Sequence, residues 1–127
     1  MAEGSCGVLV VEDEAVLRLL LTAVLDDEGF AVHAAANGHE ALLILALWQP
    51  EIIVLDLQMP VMDGPSFCAE QRRSPSLAAI PVLLVSAALD LKRQAMKLEA
   101  AGSIGKPYDV DELIKTVNQI LATKRSA

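Results

Sequence analysis

Short runs of branched apolar residues alternate along this chain with amphipathic stretches, and that alternation decides its fold class. The first run is Val8-Leu9-Val10-Val11. It is followed over residues 15–28 by Val16, Leu19, Leu20, Ala23, Val24 and Leu25, which recur at helical spacing. Gly29 stops that helix. A weaker strand, Phe30-Ala31-Val32-His33-Ala34-Ala35, comes next, and Asn37 caps a helix across 38–47. A third strand spans 51–55, a helix opened by Gly64 runs across 65–73, and Ser74-Pro75-Ser76 breaks it. Ile80-Pro81-Val82-Leu83-Leu84-Val85 reads as the fourth strand, with Pro81 tolerated near its start. A helix over 89–100, a short strand Gly102-Ser103-Ile104-Gly105 and a last helix from Asp109 or Asp111 to Leu121 complete the chain. Five strand–helix units with short connections imply a parallel sheet covered by helices on both faces, with right-handed crossovers.

Two of the strands end in acids. Asp56 closes Ile52-Ile53-Val54-Leu55, and Glu12 and Asp13 close Val8-Leu9-Val10-Val11. Parallel strands bring their carboxyl ends to one edge, where open α/β sheets bind ligands. Three acids gathered there repel one another unless a cation lies between them, and hard oxygen donors suit Mg²⁺. Ser86 and Ala87 follow the fourth strand and Lys106 follows the fifth. The edge therefore collects Glu12, Asp13, Asp56, Ser86 and Lys106: three carboxylates, a hydroxyl and an ammonium.

Composition narrows the classes. A length of 127 residues suits one domain with its own core. The expected domain spans 1–127, with its core at about 6–122 and no output domain, since no interdomain linker is visible. Hydrophobic residues at 54% argue against disorder, and aromatics at 3% require an aliphatic core. A net charge of −7 disfavours direct nucleic-acid binding, which depends on neutralising phosphates. It favours a cation or a basic partner surface instead. No apolar stretch approaches the ~18 residues of a membrane span, and Met1-Ala2-Glu3-Gly4-Ser5 has no signal-peptide character. A cytoplasmic protein without membrane insertion is expected. Cys6 and Cys68 lack metal-ligand spacing and read as reduced, buried thiols. His33 and His39 fall away from the acidic edge, Trp48 is expected to cover a helix end, and Asp90 to cap or pair on the fourth helix.

The segments Val10-Val11-Glu12-Asp13-Glu14, Leu55-Asp56-Leu57-Gln58-Met59-Pro60-Val61-Met62-Asp63-Gly64, Val85-Ser86-Ala87 and Lys106-Pro107 together resemble the receiver domain of bacterial two-component response regulators, including single-domain chemotaxis-type receivers. The resemblance covers residues 6–122 and implies a (βα)5 flavodoxin-like sheet, doubly wound, in strand order 2-1-3-4-5. It implies that Asp56 is the phosphoacceptor, forming an aspartyl phosphate. Mg²⁺ would be held by Asp13, Asp56 and the backbone carbonyl of Gln58, with Glu12 acting through a water. Ser86, the backbone N–H of Ala87 and Lys106 would bind the phosphoryl group. The implied partners are a histidine kinase or a histidine phosphotransfer protein and a downstream protein. The domain would signal by altered partner binding or onward transfer, catalysing only its own phosphorylation and dephosphorylation. Two positions depart from the pattern. Glu12 stands where the family very often has Asp. Ser103 stands three residues before Lys106, where receivers usually carry Tyr or Phe as a switch, and Tyr108 lies on the other side of the lysine.

Two other classes fit less well. A haloacid-dehalogenase-like phosphatase needs a second acid two residues after its nucleophile, where this chain has Gln58. A flavodoxin-like flavin binder needs a phosphate loop after strand one, where Glu12-Asp13-Glu14 would repel phosphate.

Overall fold

The structure is a computed structural model that describes residues 6–57, 59 and 62–126. Its elements run β1 (Gly7–Val11), α1 (Ala15–Asp27), β2 (Ala31–Ala35), α2 (Gly38–Leu45), β3 (Ile52–Asp56), α3 (Gly64–Arg72), α4 (Pro75–Ala78), β4 (Val82–Ser86), α5 (Leu91–Lys97), β5 (Gly102–Gly105) and α6 (Val110–Ser126). All strand pairs are parallel, and the order is β2-β1-β3-β4-β5. This is the expected α/β architecture. No helix among the described residues is long and apolar enough to cross a membrane.

The strand period of two divides the core cleanly. Leu9, Val11, Ile53, Leu55, Val82 and Leu84 face a layer that includes Ala41, Leu45, Phe67, Cys68 and Leu91 from α2, α3 and α5. Val8, Val10, Ile52, Val54, Leu83 and Val85 face the other layer, with Leu21 and Leu25 of α1 and Leu113, Val117 and Leu121 of α6. β3 and β4 are buried along their whole length, as central strands covered on both faces must be.

Local chemistry explains most element ends. Asn37 accepts from Glu40 N at 2.9 Å while Glu40 Oε1 accepts from Ala36 N at 2.8 Å, so the start of α2 is closed from both sides. Gly29, at φ 97°, ends α1. α3 stops before Ser74-Pro75-Ser76 as expected, but Pro75 also opens the one-turn α4. Buried Gln71 fixes that turn, donating to the carbonyls of Leu77 and Ile80 at 2.7 and 3.0 Å. α6 runs past Leu121 because its last turn carries Lys124 and Arg125, which suit a helix C-terminus and bind the carbonyl and carboxylate of Glu51 at 3.2 and 3.6 Å. Cys6 is half-buried rather than buried, since it sits before β1 with its thiol on the Glu51 carboxylate. Cys68 is buried, and that burial pushes its thiol pKa up. Trp48, past the end of α2, lies over the start of β1 and against the exposed His33, ring centroids 4.4 Å apart. Asp90 occupies the start of α5 without capping it and accepts from Gln94 at 3.2 Å.

One glycine shapes the loop beside Asp56. Gly64 N donates to the Leu57 carbonyl at 3.0 Å, and a Cβ on Gly64 would lie 2.9 Å from both the Cα and the carbonyl oxygen of Leu57. Backbone cannot swing aside as a side chain can. Gly64→Ala is therefore expected to cost about 1–3 kcal/mol of stability by overpacking, read by urea denaturation. Unchanged stability would mean that the loop does not need this approach.

Candidate functional site

The parallel register brings the sequence's scattered polar residues together at the carboxyl edge. Val11 lies beside Leu55, Asp56 beside Val85, and Ser86 beside Gly105. The hydrogen bonding of β1, β3 and β5 continues one residue past each strand's end. Glu12 N donates to Ala35 O at 3.0 Å, Leu57 N to Val85 O at 3.1 Å, and Lys106 N to Ser86 O at 2.8 Å. The functional side chains therefore stand on backbone that the sheet holds rigid.

Glu12, Asp13 and Asp56 each place a carboxylate oxygen within 4.8 Å of the others. Glu12 and Asp56 are only 2% and 5% exposed, whereas Asp13 opens to solvent. Lys106 Nζ bridges the buried pair, 3.2 Å from Glu12 Oε1 and 3.5 Å from Asp56 Oδ2. Burial pulls the Lys106 pKa down, but Asp56 and Glu12 outweigh it and the net direction is up. Lys106 is thus an ammonium throughout the physiological range.

The other expected residues sit around this pair. Ser86 is buried at the end of β4 and accepts from Ala88 N at 3.0 Å, which shapes the loop carrying Ala87. The carbonyl of Gln58 lies outside the described residues. Ser103 is on β5, half-buried, and lines an open groove of about 530 Å³ with Leu89, Leu91, Lys92 and Gly105, among others. The Lys106–Pro107 peptide is cis.

Sequence reasoning missed three contributors. Arg18 reaches back from α1 to the acidic loop, donating to the carbonyls of Glu12 and Asp13 at 2.8 and 3.2 Å. Its position one helical turn after Glu14 was the available signal, but an arginine there reads equally well as solvated. Asp63 caps α3 through Ser66 N at 2.8 Å and so anchors the far end of the Asp56 loop. Tyr108 stands near enough to Glu12 and Asp56 for both carboxylates to act on its phenol.

A family model described as the response regulator receiver domain matches residues 8–118. The chain belongs to the response regulator receiver family. It is 30% identical over 117 residues to sporulation initiation phosphotransferase F of Bacillus subtilis, covering 92% of this chain and 94% of that one. Among solved structures it resembles chemotaxis protein CheY4 of Vibrio cholerae, at 28% identity and TM-score 0.86, covering 92% of this chain and 99% of that one. It also resembles the receiver domain of sensor histidine kinase PA1611 from Pseudomonas aeruginosa, at 25% identity and TM-score 0.84, covering 94% and 99%. That structure has a magnesium ion coordinated in its active-site cleft. Other curated relatives are longer: this chain spans 47% of a probable transcriptional regulator, ycf27 of Porphyridium aerugineum, and 25% of regulatory protein AtoC of Escherichia coli. As a receiver, the domain is a phosphoacceptor module of two-component signalling.

The donor set fits Mg²⁺. Three carboxylates face one ammonium, and oxygen donors on the open Asp13 side leave room for the waters Mg²⁺ retains. Removing Lys106 leaves two buried carboxylates facing each other. Lys106→Ala is expected to fold but to lose roughly 1.5–3 kcal/mol in chelator, the scale of hydrogen bonds to charged groups. The sign against pH follows from the raised pKa. The contribution of Lys106 is complete below its unfolded value of about 10.4 and disappears as pH rises through the higher folded value. Urea denaturation of both proteins at neutral and alkaline pH measures it; equal stability at neutral pH would contradict the pairing.

Proposed function

We propose that this receiver takes a phosphoryl group on Asp56 from the phosphohistidine of a histidine kinase or a histidine phosphotransfer protein. One observation carries the reading: a buried carboxylate at the end of a central strand, bridged by Lys106 to a second buried acid. A carboxylate oxygen of Asp56 attacks phosphorus, the new P–O bond forms as the P–N bond breaks, and the imidazole leaves with the electron pair and picks up a proton. Asp13 and Asp56, with Glu12 through water and the Gln58 carbonyl, would hold Mg²⁺. Bound there, Mg²⁺ supplies charge that lets an anionic phosphoryl group approach three acids. Lys106 offsets charge on the transferring oxygens, and Ser86 and the Ala87 N–H bind them. The protein thus catalyses only its own phosphorylation and dephosphorylation, in the cytoplasm, without contacting nucleic acid directly.

A protein donor has somewhere to rest. Val16 and Leu19 on α1 are 75% and 70% exposed. Next to them a cavity of about 400 Å³ is walled by Leu17, Leu20, Pro107 and Val110 beside Lys106. Exposed apolar surface of this kind next to a reactive group marks an interaction site. The downstream partner is a protein that distinguishes the two phosphorylation states, by binding or by accepting the phosphoryl group.

Acetyl phosphate with Mg²⁺ is expected to add one phosphoryl group by mass spectrometry. Asp56→Asn and excess chelator should each abolish it. Labelling of the variant at the parent's level, or labelling unaffected by chelator, would overturn the assignment.

The serine at position 103 bears on the response. A ring moving between exposed and buried positions changes ~150–250 Å² of contact, and Ser103 has no such surface to move. Beryllofluoride is therefore expected to change amide hydrogen exchange mostly in the loops after β3 and β4. Equally large changes over residues 104–115 would refute this.

A further inference from the structure

Tyr108 carries the described structure's one buried side-chain polar atom without a partner. Its ring is half-buried against the core layer of Val10, Val85, Leu21 and Leu113. Its hydroxyl is out of solvent and has no hydrogen-bond partner among the described residues. Such a group is costly to bury, and each instance in a native fold calls for an explanation.

The surroundings indicate what the hydroxyl awaits. Tyr108 lines the same cavity of about 400 Å³ as Ala87 and Lys106, two of the three residues placed against the phosphoryl group. The rest of that wall is Leu17, Leu20, Pro107 and Val110, which offer a water no side-chain partner. Burial first, then the carboxylates of Glu12 and Asp56, push the phenol pKa up to about 12. The hydroxyl therefore keeps its proton and remains a donor. Phosphorylation of Asp56 would add three strong acceptor oxygens beyond the carboxylate.

We propose that Tyr108 is a further phosphoryl-binding residue, whose hydroxyl donates a hydrogen bond to the group carried on Asp56. The proposal rests on the reading of Asp56 as the phosphoacceptor. A hydrogen bond made only in the phosphorylated state is a differential interaction, and so biases the switch.

Tyr108→Phe keeps the ring and removes only the oxygen. In chelator the variant is expected to be at least as stable as the parent to urea, because an unpaired buried hydroxyl is gone. Its Mg²⁺ affinity by calorimetry should be unchanged. Its affinity for beryllofluoride in saturating Mg²⁺ should fall about tenfold, the scale of a hydrogen bond to a charged acceptor, and its aspartyl phosphate should be shorter-lived. A Tyr108→Phe protein that binds beryllofluoride as tightly as the parent overturns the inference alone. Mg²⁺ affinity lowered by the same factor also overturns it, since the effect would then lie in the acidic loop. A parent that takes up neither beryllofluoride nor phosphoryl overturns the reading of Asp56, and this inference with it.

Discussion

The bridge from Lys106 to Glu12 and Asp56 is the interaction on which the site depends. Two carboxylates that are nearly inaccessible to water repel each other strongly unless a cation lies beside them. Lys106 supplies that cation across 94 residues of sequence, because β5 ends beside β4 and β1 ends beside β3. The ammonium offsets one charge of three, which leaves the cluster short of neutral. That imbalance suits the edge to a divalent cation.

Rigidity comes from the backbone rather than from the charges. Glu12, Leu57 and Lys106 each donate to a carbonyl of the neighbouring strand, so the sheet ladder holds the first residue of the loops after β1, β3 and β5. Arg18 then ties down the carbonyls of the acidic loop, and the Asp63 cap with the Gly64 approach to Leu57 closes the loop beside Asp56. The carboxylates are thereby held close together before any ligand arrives. Their repulsion is paid for by the core on both faces of the sheet.

Ser103 and Tyr108, on either side of the lysine, have different surroundings. Ser103 leaves an open groove beside Leu89 and Lys92 on one side of β5. Tyr108 fills the opposite layer, with its hydroxyl buried near the acids. A response built on a hydrogen bond depends on the short range of that bond. A response built on moving a ring spreads through packing.

Alternating apolar runs determined the five strands and their parallel pairing, because a strand buried on both faces needs a continuous branched run, as in Ile52–Leu55. Strand-end acids, the serine and the lysine were legible for the same reason: parallel strands send their carboxyl ends to one edge. Strand order came from motif resemblance, since alternation is compatible with several orders. The one-turn helix at Pro75 was not legible, because a proline that breaks one helix equally well starts another. Arg18 and the Tyr108 hydroxyl were not legible either. An arginine on a helix face and a tyrosine after a proline carry no sign of what they touch. Which atoms face the carboxylates is decided by how α1 and α6 pack on the sheet, and contacts between residues far apart in sequence exist only once that packing is complete.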